Sequence, residues 1–197
     1  MRERILEAAS ELFYAEGFRA VSAEKIIARV GTTKVTFYRH FRSKDDVMVA
    51  YLERRAAEER AAIEEVLALA AGDPQKAFAR AVEVLAAAAC LPGYRGCPFI
   101  NAAAEYADPQ HPVRLVVAEH RRWQLGAFER LLASLGVDDP AGAAVELMLL
   151  RDGAAVGGYL DDADAVAGAV LAASGAVLRA ASSGVAGPCP APRDMFA

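Results

Sequence analysis

Hydrophobic positions recur at helical spacing along most of this chain, and no alternating strand pattern interrupts them. Ile5, Leu6, Ala9, Leu12 and Phe13 share one face of a first helix, and Gly17 is placed to stop it. Ser22 is an N-cap for a second helix, with Val21 before it and Ile26 after it set to close a hydrophobic staple. Ile26, Ile27 and Val30 form the inner face of that helix, and Gly31 breaks the pattern. Thr32 or Thr33 caps a short third helix that ends near His40. Ser43 caps a long fourth helix, with Asp46 placed as in a capping box. Val47, Tyr51, Leu52, Ile63, Val66 and Leu67 carry that helix to the neighbourhood of Ala71.

Gly72-Asp73-Pro74 then ends one helix and starts a fifth, which reaches Cys90. Leu91 to Gly96 reads as a loop. Pro98 suits the first position of a short helix with Cys97 at its N-cap. A break at Asp108 to Pro112 precedes a long helix ending at Leu135 and Gly136. Two more helices span Pro140 to Leu160 and Asp162 to Ala181, and the proline-bearing tail after Ser182 is irregular. The fold class expected is all-α, without internal repeats.

Composition supports a packed protein, since hydrophobic residues make up 55% of the 197. No uninterrupted apolar run reaches the roughly 18 residues of a membrane helix. Arg2, Glu3 and Arg4 open the chain without a signal-peptide pattern, so a cytoplasmic protein with no membrane partner is expected. Cys90, Cys97 and Cys189 are too sparse for a disulfide framework. His40, His111 and His120 do not pair with them at metal-ligand spacing, so no metal and no cofactor is expected. The net charge of -4 conceals an uneven distribution. Lys25, Arg29, Lys34, Arg39, Arg42 and Lys44 form a basic stretch with no Asp or Glu inside it, the electrostatic footprint of nucleic-acid binding.

Three short helices with a glycine turn between the second and third make a helix-turn-helix pattern. In that motif the last helix carries small polar and basic side chains to base edges in the major groove. Phe37 and Phe41 lie four apart and face inward with Ile27 and Val30. This leaves Thr33, Lys34, Thr36, Tyr38 and His40 outward.

The residues Ile5-Leu6-Glu7-Ala8-Ala9, Leu12-Phe13, Glu16-Gly17-Phe18, Ile27-Ala28, Gly31, Lys34, Thr36 to Phe41 and Ser43-Lys44 together resemble the DNA-binding domain of the tetracycline-repressor (TetR) family. The resemblance covers about a quarter of the chain. It implies a nine-helix, Ω-shaped homodimer that binds a palindromic operator as a repressor and lets go when a small-molecule effector binds. The chain then divides into a helix-turn-helix domain over 1–46, a helical ligand-binding and dimerisation domain over 47–182 and an irregular tail over 183–197. By position, Thr33, Lys34 and Thr36 would approach bases or nearby phosphates, while Tyr38 and His40 would bond phosphates. Lys44 would add charge to a helix N-terminus that already favours anions, and Ser22 would act similarly. The family usually has a small residue where this chain has Val35, which could touch a thymine methyl.

The second half carries one further echo. Gly96-Cys97 with Asn101 and Glu105 resembles a motif in a subset of TetR-like regulators, in some of which the cysteine answers electrophiles or oxidants. A thiol at a helix N-cap sees the positive end of the helix dipole. A Cys90–Cys97 disulfide would need the intervening loop to fold back. Ligand pockets are largely apolar with few polar groups. Between the fifth and eighth helices, Phe78, Phe99 and Trp123 supply walls, with Leu85, Tyr106 and Phe128. Asn101, Glu105, His120 and Glu146 supply polarity. The last two helices read as a homodimer interface through Leu147, Leu150, Gly157, Ala169, Ala173 and Val177. Two other functions compete: a Cys97-switched regulator, and a helical enzyme or carrier. The latter finds no recognisable catalytic motif around the two histidines of that half.

Overall fold

Helix ends fall where the capping residues stand. In the computed structural model, which describes residues 1–88 and 90–183, the order is α1 (Arg2–Glu16), α2 (Ala23–Val30), α3 (Lys34–His40), α4 (Lys44–Ala70), α5 (Pro74–Ala88), α6 (Pro98–Glu105), α7 (Pro112–Ser134), α8 (Pro140–Leu160) and α9 (Ala163–Ala181). The tail expected over 183–197, with Cys189, lies outside the described residues from 184 onward. The Ser22, Thr33 and Ser43 side chains accept from the backbone N–H groups of Lys25, Thr36 and Asp46. Asp139 and Asp162 do the same for α8 and α9. Each such bond satisfies an orphan donor and is worth about 1 kcal/mol. Gly31 closes α2 in the left-handed region, with φ 69°, and its N–H turns back to the carbonyls of Ile27 and Ala28.

Two apolar clusters hold the helices. The first joins the inner faces of α1, α2 and α3 to the N-terminal part of α4 through Ile5, Phe13, Ile26, Phe37, Met48 and Leu52. It continues without a gap into Phe99 and Ala102 of α6 and Val113 and Val117 of α7. Val21 and Ile26, the expected staple, are both fully buried in it. The second cluster binds α5, the C-terminal half of α7, α8 and α9 through Phe78, Val82, Leu131, Leu132, Leu147 and Val170. The boundary expected at residue 46 therefore falls inside α4, and the first cluster runs across it. α4 also packs along α5 and α7, so one helix serves both clusters.

By length and composition α9 is apolar enough to cross a membrane, with a mean hydropathy of 1.4. A search for an unbroken apolar run passes over it because Asp164 and Arg179 stand near its ends. Its packing is with α8 and α5, through Val170 and Ser174 among others. Toward α8 it approaches closely at Gly157, where a Cβ would lie 3.2 Å from Val166.

α7 and α8 are also joined by charge. Arg121 grips Asp152 with two bonds of 2.9 and 2.6 Å, and Arg151 adds a third at 3.1 Å. Burial alone would raise the Asp152 carboxyl. The two guanidinium groups outweigh it and hold the carboxyl below its usual range. A carboxyl depressed by folding contributes stability that is fully present above its unfolded value, near pH 4, and is lost as pH falls through the lower folded value. Asp152→Asn should therefore lower stability at pH 7 by about 2 kcal/mol. That deficit should shrink as pH drops below about 4, where the wild-type carboxyl becomes neutral too. Denaturant unfolding of both proteins across that range checks it.

Candidate functional site

The N-terminal surface is built around α3. Its buried side is Phe37, with Phe41 at the C-cap, the two rings 6.3 Å apart. This anchoring leaves Thr33, Lys34, Val35 and Tyr38 exposed, with Thr36 and His40 half-buried. Val35 is 79% exposed, the most open large hydrophobic residue of the described chain. Nothing in the protomer covers it. Tyr38 packs against Phe37 at 5.2 Å with the two rings nearly perpendicular, and it remains 46% exposed. Ser22 Oγ and Thr33 Oγ1 are engaged as caps, at 3.2 Å each.

Two of the nominated cations have partners. Lys34 pairs with Glu24 of α2 at 3.0 Å, both side chains being largely exposed. The hydrogen bond between them raises the ammonium and lowers the carboxyl. An exposed pair of this kind is weak and screened by salt, so it can exchange for a phosphate. Lys44 donates to the carbonyl of Phe18 at 2.9 Å. An ammonium has three donors, so two remain beside the N-terminus of α4. Arg39, part of the basic stretch but not named among the DNA contacts, is exposed on α3 and adds charge to the same surface.

Behind this surface lies a cavity of about 620 Å³. Its walls come from α1, α4, α5, the loop before α6, the start of α6, α7 and α8, so it reaches wider than the gap between the fifth and eighth helices. Ile63, Val66, Leu67, Leu85, Phe128 and Leu131 give it an apolar lining. Tyr14, Tyr51, Tyr94, Glu59, Gln124 and Arg151 supply its polar groups. Burial pushes the Tyr94 phenol up to about 12 and the Tyr51 phenol higher still, so both stay neutral.

None of the six residues nominated for ligand contact lines this cavity, although Leu85 and Phe128 do. Phe99 is buried and stacks on His120 at 4.0 Å, and the Trp123 ring lies nearly parallel to that of His120 at 6.2 Å. Phe78 belongs to the second apolar cluster. Asn101 and Glu105 border a second hollow of about 330 Å³ at the end of α1, and both are structural ties. Asn101 donates to the Arg95 carbonyl at 2.9 Å. Glu105 accepts from the backbone N–H groups of Phe18 and Arg19 at 3.0 and 2.7 Å. Gln124 and Arg151 carried a readable signal, as polar residues inside the apolar stripes of α7 and α8. Glu59, in a charge-rich stretch of α4, carried none.

Cys97 is buried, borders the cavity and lies 3.0 Å from an Arg151 guanidinium nitrogen. Cys90 is exposed at the other end of the loop, beside Ala163 and Asp164, and both thiols are free, so the loop does not bring the two together. The interface nominations also separate. Leu147 is 2% exposed and belongs to the core of its own protomer, against which Leu150 and Val177 pack. Gly157 serves the α8–α9 contact. Ala169 is exposed and Ala173 half-buried. The outward stripe of α8 is instead Val145, Leu149, Val156 and Leu160.

Residues 5–51 match the family described as bacterial regulatory proteins, tetR family. The crystal structure of SCO4454, a TetR-family transcriptional regulator from Streptomyces coelicolor, superposes with a TM-score of 0.88 and 38% identity, over 92% of this chain and 89% of that one. The reduced form of Escherichia coli NemR superposes with a TM-score of 0.77 over 89% of this chain and 96% of its own, but at 21% identity it shows the fold alone. Among curated proteins, the HTH-type transcriptional regulator YjdC of Escherichia coli is 37% identical over 60 residues, 30% of this chain and 31% of that protein. The HTH-type transcriptional activator FasR of Mycolicibacterium smegmatis is 40% identical over 53 residues, 27% of this chain and 24% of its own length. The chain thus spans about a third or less of the curated relatives it matches. With its N-terminal helix-turn-helix and a likeness to SCO4454 that spans nearly the whole of both chains, this chain belongs to the TetR family of bacterial transcriptional regulators, which are not enzymes.

Proposed function

We propose that this protein is a cytoplasmic repressor that binds a palindromic operator as a homodimer and is released by a small molecule entering the 620 Å³ cavity. The domain division is read accordingly: 1–46 contacts DNA, and 47–182 senses and dimerises. One observation carries the reading. The start of α6 borders the cavity at Cys97 and Pro98, and its end holds the turn between α1 and α2 through Glu105. A ligand that prefers one placement of α6 thereby biases the placement of the helix-turn-helix. Only such a preference can shift the DNA-binding equilibrium.

The DNA contacts proposed are Ser22, Thr33, Lys34, Val35, Thr36, Tyr38, His40 and Lys44. Purified protein should retard the DNA upstream of its own gene, at an inverted repeat whose half-site centres lie a whole number of turns apart, each about 10 bp. Lys34→Ala should weaken binding across sequences and reduce the salt slope by about one. Tyr38→Ala should weaken it without that change in slope. Normal retardation by the double variant would overturn the site assignment. FasR is named as an activator, so a reporter under the same upstream DNA decides the sign, with expression rising when the gene is deleted.

For the dimer, the support is the stripe of Val145, Leu149, Val156 and Leu160, with Leu149 66% and Leu160 68% exposed. Exposed Ala165, Ala169, Ala172 and Ala176 of α9 permit close approach beside it. Leu149→Glu should shift the protein to monomer in sedimentation at micromolar concentration and abolish cooperative operator binding. A variant that stays dimeric sinks this interface.

A second reading keeps the same DNA-binding half and changes the trigger. Cys97 borders the cavity under the Arg151 guanidinium, where a thiolate would gain a charge-assisted bond. If the thiol is the trigger, Cys97→Ser will retain operator binding and lose release by oxidants or electrophiles. Unchanged release by such reagents in the variant removes this reading.

A further inference from the structure

The charged groups on the cavity wall are not equally matched. Glu11 pairs with Arg29 at 2.9 Å, Arg55 with Glu58 at 2.6 Å and Arg151 with Asp152 at 3.1 Å. Glu59 has no ion pair with a Lys or Arg among the described residues, although Arg151 in the same wall is near enough to feel its charge while bonded to Asp152 and Cys97. Its Oε2 accepts from His120 Nε2 at 3.0 Å and Gln124 Nε2 at 3.1 Å, and its Oε1 accepts no bond among those residues. The other ring nitrogen of His120, Nδ1, is buried with no partner.

Gln124 sharpens the imbalance. Its nitrogen must face Glu59, because the flipped amide would set an oxygen lone pair against the carboxylate. That leaves its Oε1 buried and without a partner, on a residue that borders the cavity. A carboxylate and a bare amide oxygen beside an apolar space cost free energy until a donor reaches them. A neutral donor would satisfy the oxygen. A cationic donor satisfies the oxygen and the charge together. Tyr14, Tyr51 and Tyr94 belong to the same wall, and aromatic rings attract cations over their faces.

We propose that the cavity takes an amphipathic organic ammonium ion, its apolar body among the leucine and valine walls and its protonated amine donating to Glu59 and to Gln124 Oε1. This rests on the reading of the cavity as the effector site. It goes further in naming the class of effector and the two residues that select it.

Three probes with one body test it: phenylbutylamine, phenylbutanol and phenylbutyrate. Calorimetry gives affinities. The fluorescence of Trp123, the only tryptophan of the chain, whose ring lies 6.2 Å from that of His120, reports occupancy. At neutral pH the wild type should bind the amine roughly tenfold to a hundredfold tighter than the alcohol, and the carboxylate least. Glu59→Gln, which can still accept from His120, should bring amine and alcohol to within about threefold of each other. Gln124→Leu should weaken both. The wild-type comparison needs no variant and stands even if a variant fails to fold. Alcohol binding as tight as amine, tightest binding of the carboxylate, or no saturable amine binding up to its solubility overturns the proposal. These measurements contain no DNA. Amine binding that leaves the operator occupied sinks release by ligand and spares this inference, while operator release by other compounds without amine binding does the reverse.

Discussion

The Glu105 carboxylate holds the turn from which the DNA-reading helices are aimed. Its two oxygens take the N–H groups of Phe18 and Arg19, and the Arg19 guanidinium returns a bond to the Glu105 carbonyl at 2.8 Å. Bonds to an ionised acceptor are roughly twice as strong as neutral ones. Gly17 makes the approach possible in two ways. Its φ of 88° is one that side-chain-bearing residues rarely adopt, and a Cβ there would lie 3.3 Å from Glu105 Oε1. From the other side, Lys44 holds the Phe18 carbonyl. The turn that decides where α2 leaves α1 is thus held from two sides, by Lys44 of α4 and by Glu105 of α6.

Its placement depends on a helix too short to be stable alone. α6 has eight residues, far below the roughly 12 that an isolated helix needs. Tertiary bonds position both ends. At its start, Asn101 holds the Arg95 carbonyl, and the Arg95 N–H donates to the Tyr14 hydroxyl of α1 at 2.8 Å. At its end, Arg114 of α7 donates to the Tyr106 carbonyl at 2.8 Å, and the Tyr106 hydroxyl reaches Asp45 of α4 at 3.2 Å. A strain applied at Cys97 therefore meets a rigid two-turn rod, and its far end carries the Glu105 clamp.

The helices were legible in the sequence because local chemistry sets their ends. Ser22, Ser43, Asp139 and Asp162 sit before apolar runs as caps, and Gly17, Gly31 and Gly136 end the elements before them. The outward face of α3 was legible for the same reason, since Phe37 and Phe41 fix which side is in. The cavity was not legible. It is the space between helices, and its Glu59 meets Gln124 in the wall and His120 behind it across more than sixty residues. Bulky aromatics such as Phe99 and Phe78 were poor guides, because large apolar side chains fill a core as readily as they line a hole. The run from Ala143 to Leu150 hid its own orientation. Nearly every position is apolar, and only packing puts Ala144 and Leu147 inside and Val145 and Leu149 outside.

That two-sidedness makes α8 the element through which one site can be felt at another. Its inner face gives the cavity Arg151, Ala154 and Ala155, and its outer face presents Leu149, Val156 and Leu160. The two faces are one turn apart or less on a single rigid cylinder. Arg151 is locked to Asp152, and Asp152 to Arg121 of α7, so α8 cannot rotate away from a ligand without breaking charged bonds. A rigid shift is the cheaper response, and a shift carries the outer stripe with it. In the dimer proposed above, a ligand in one cavity would change the fit at the two-fold axis. The spacing of the paired α3 helices would then depend on both cavities, and occupancy of one would weaken the match to an operator whose half-sites are a fixed distance apart.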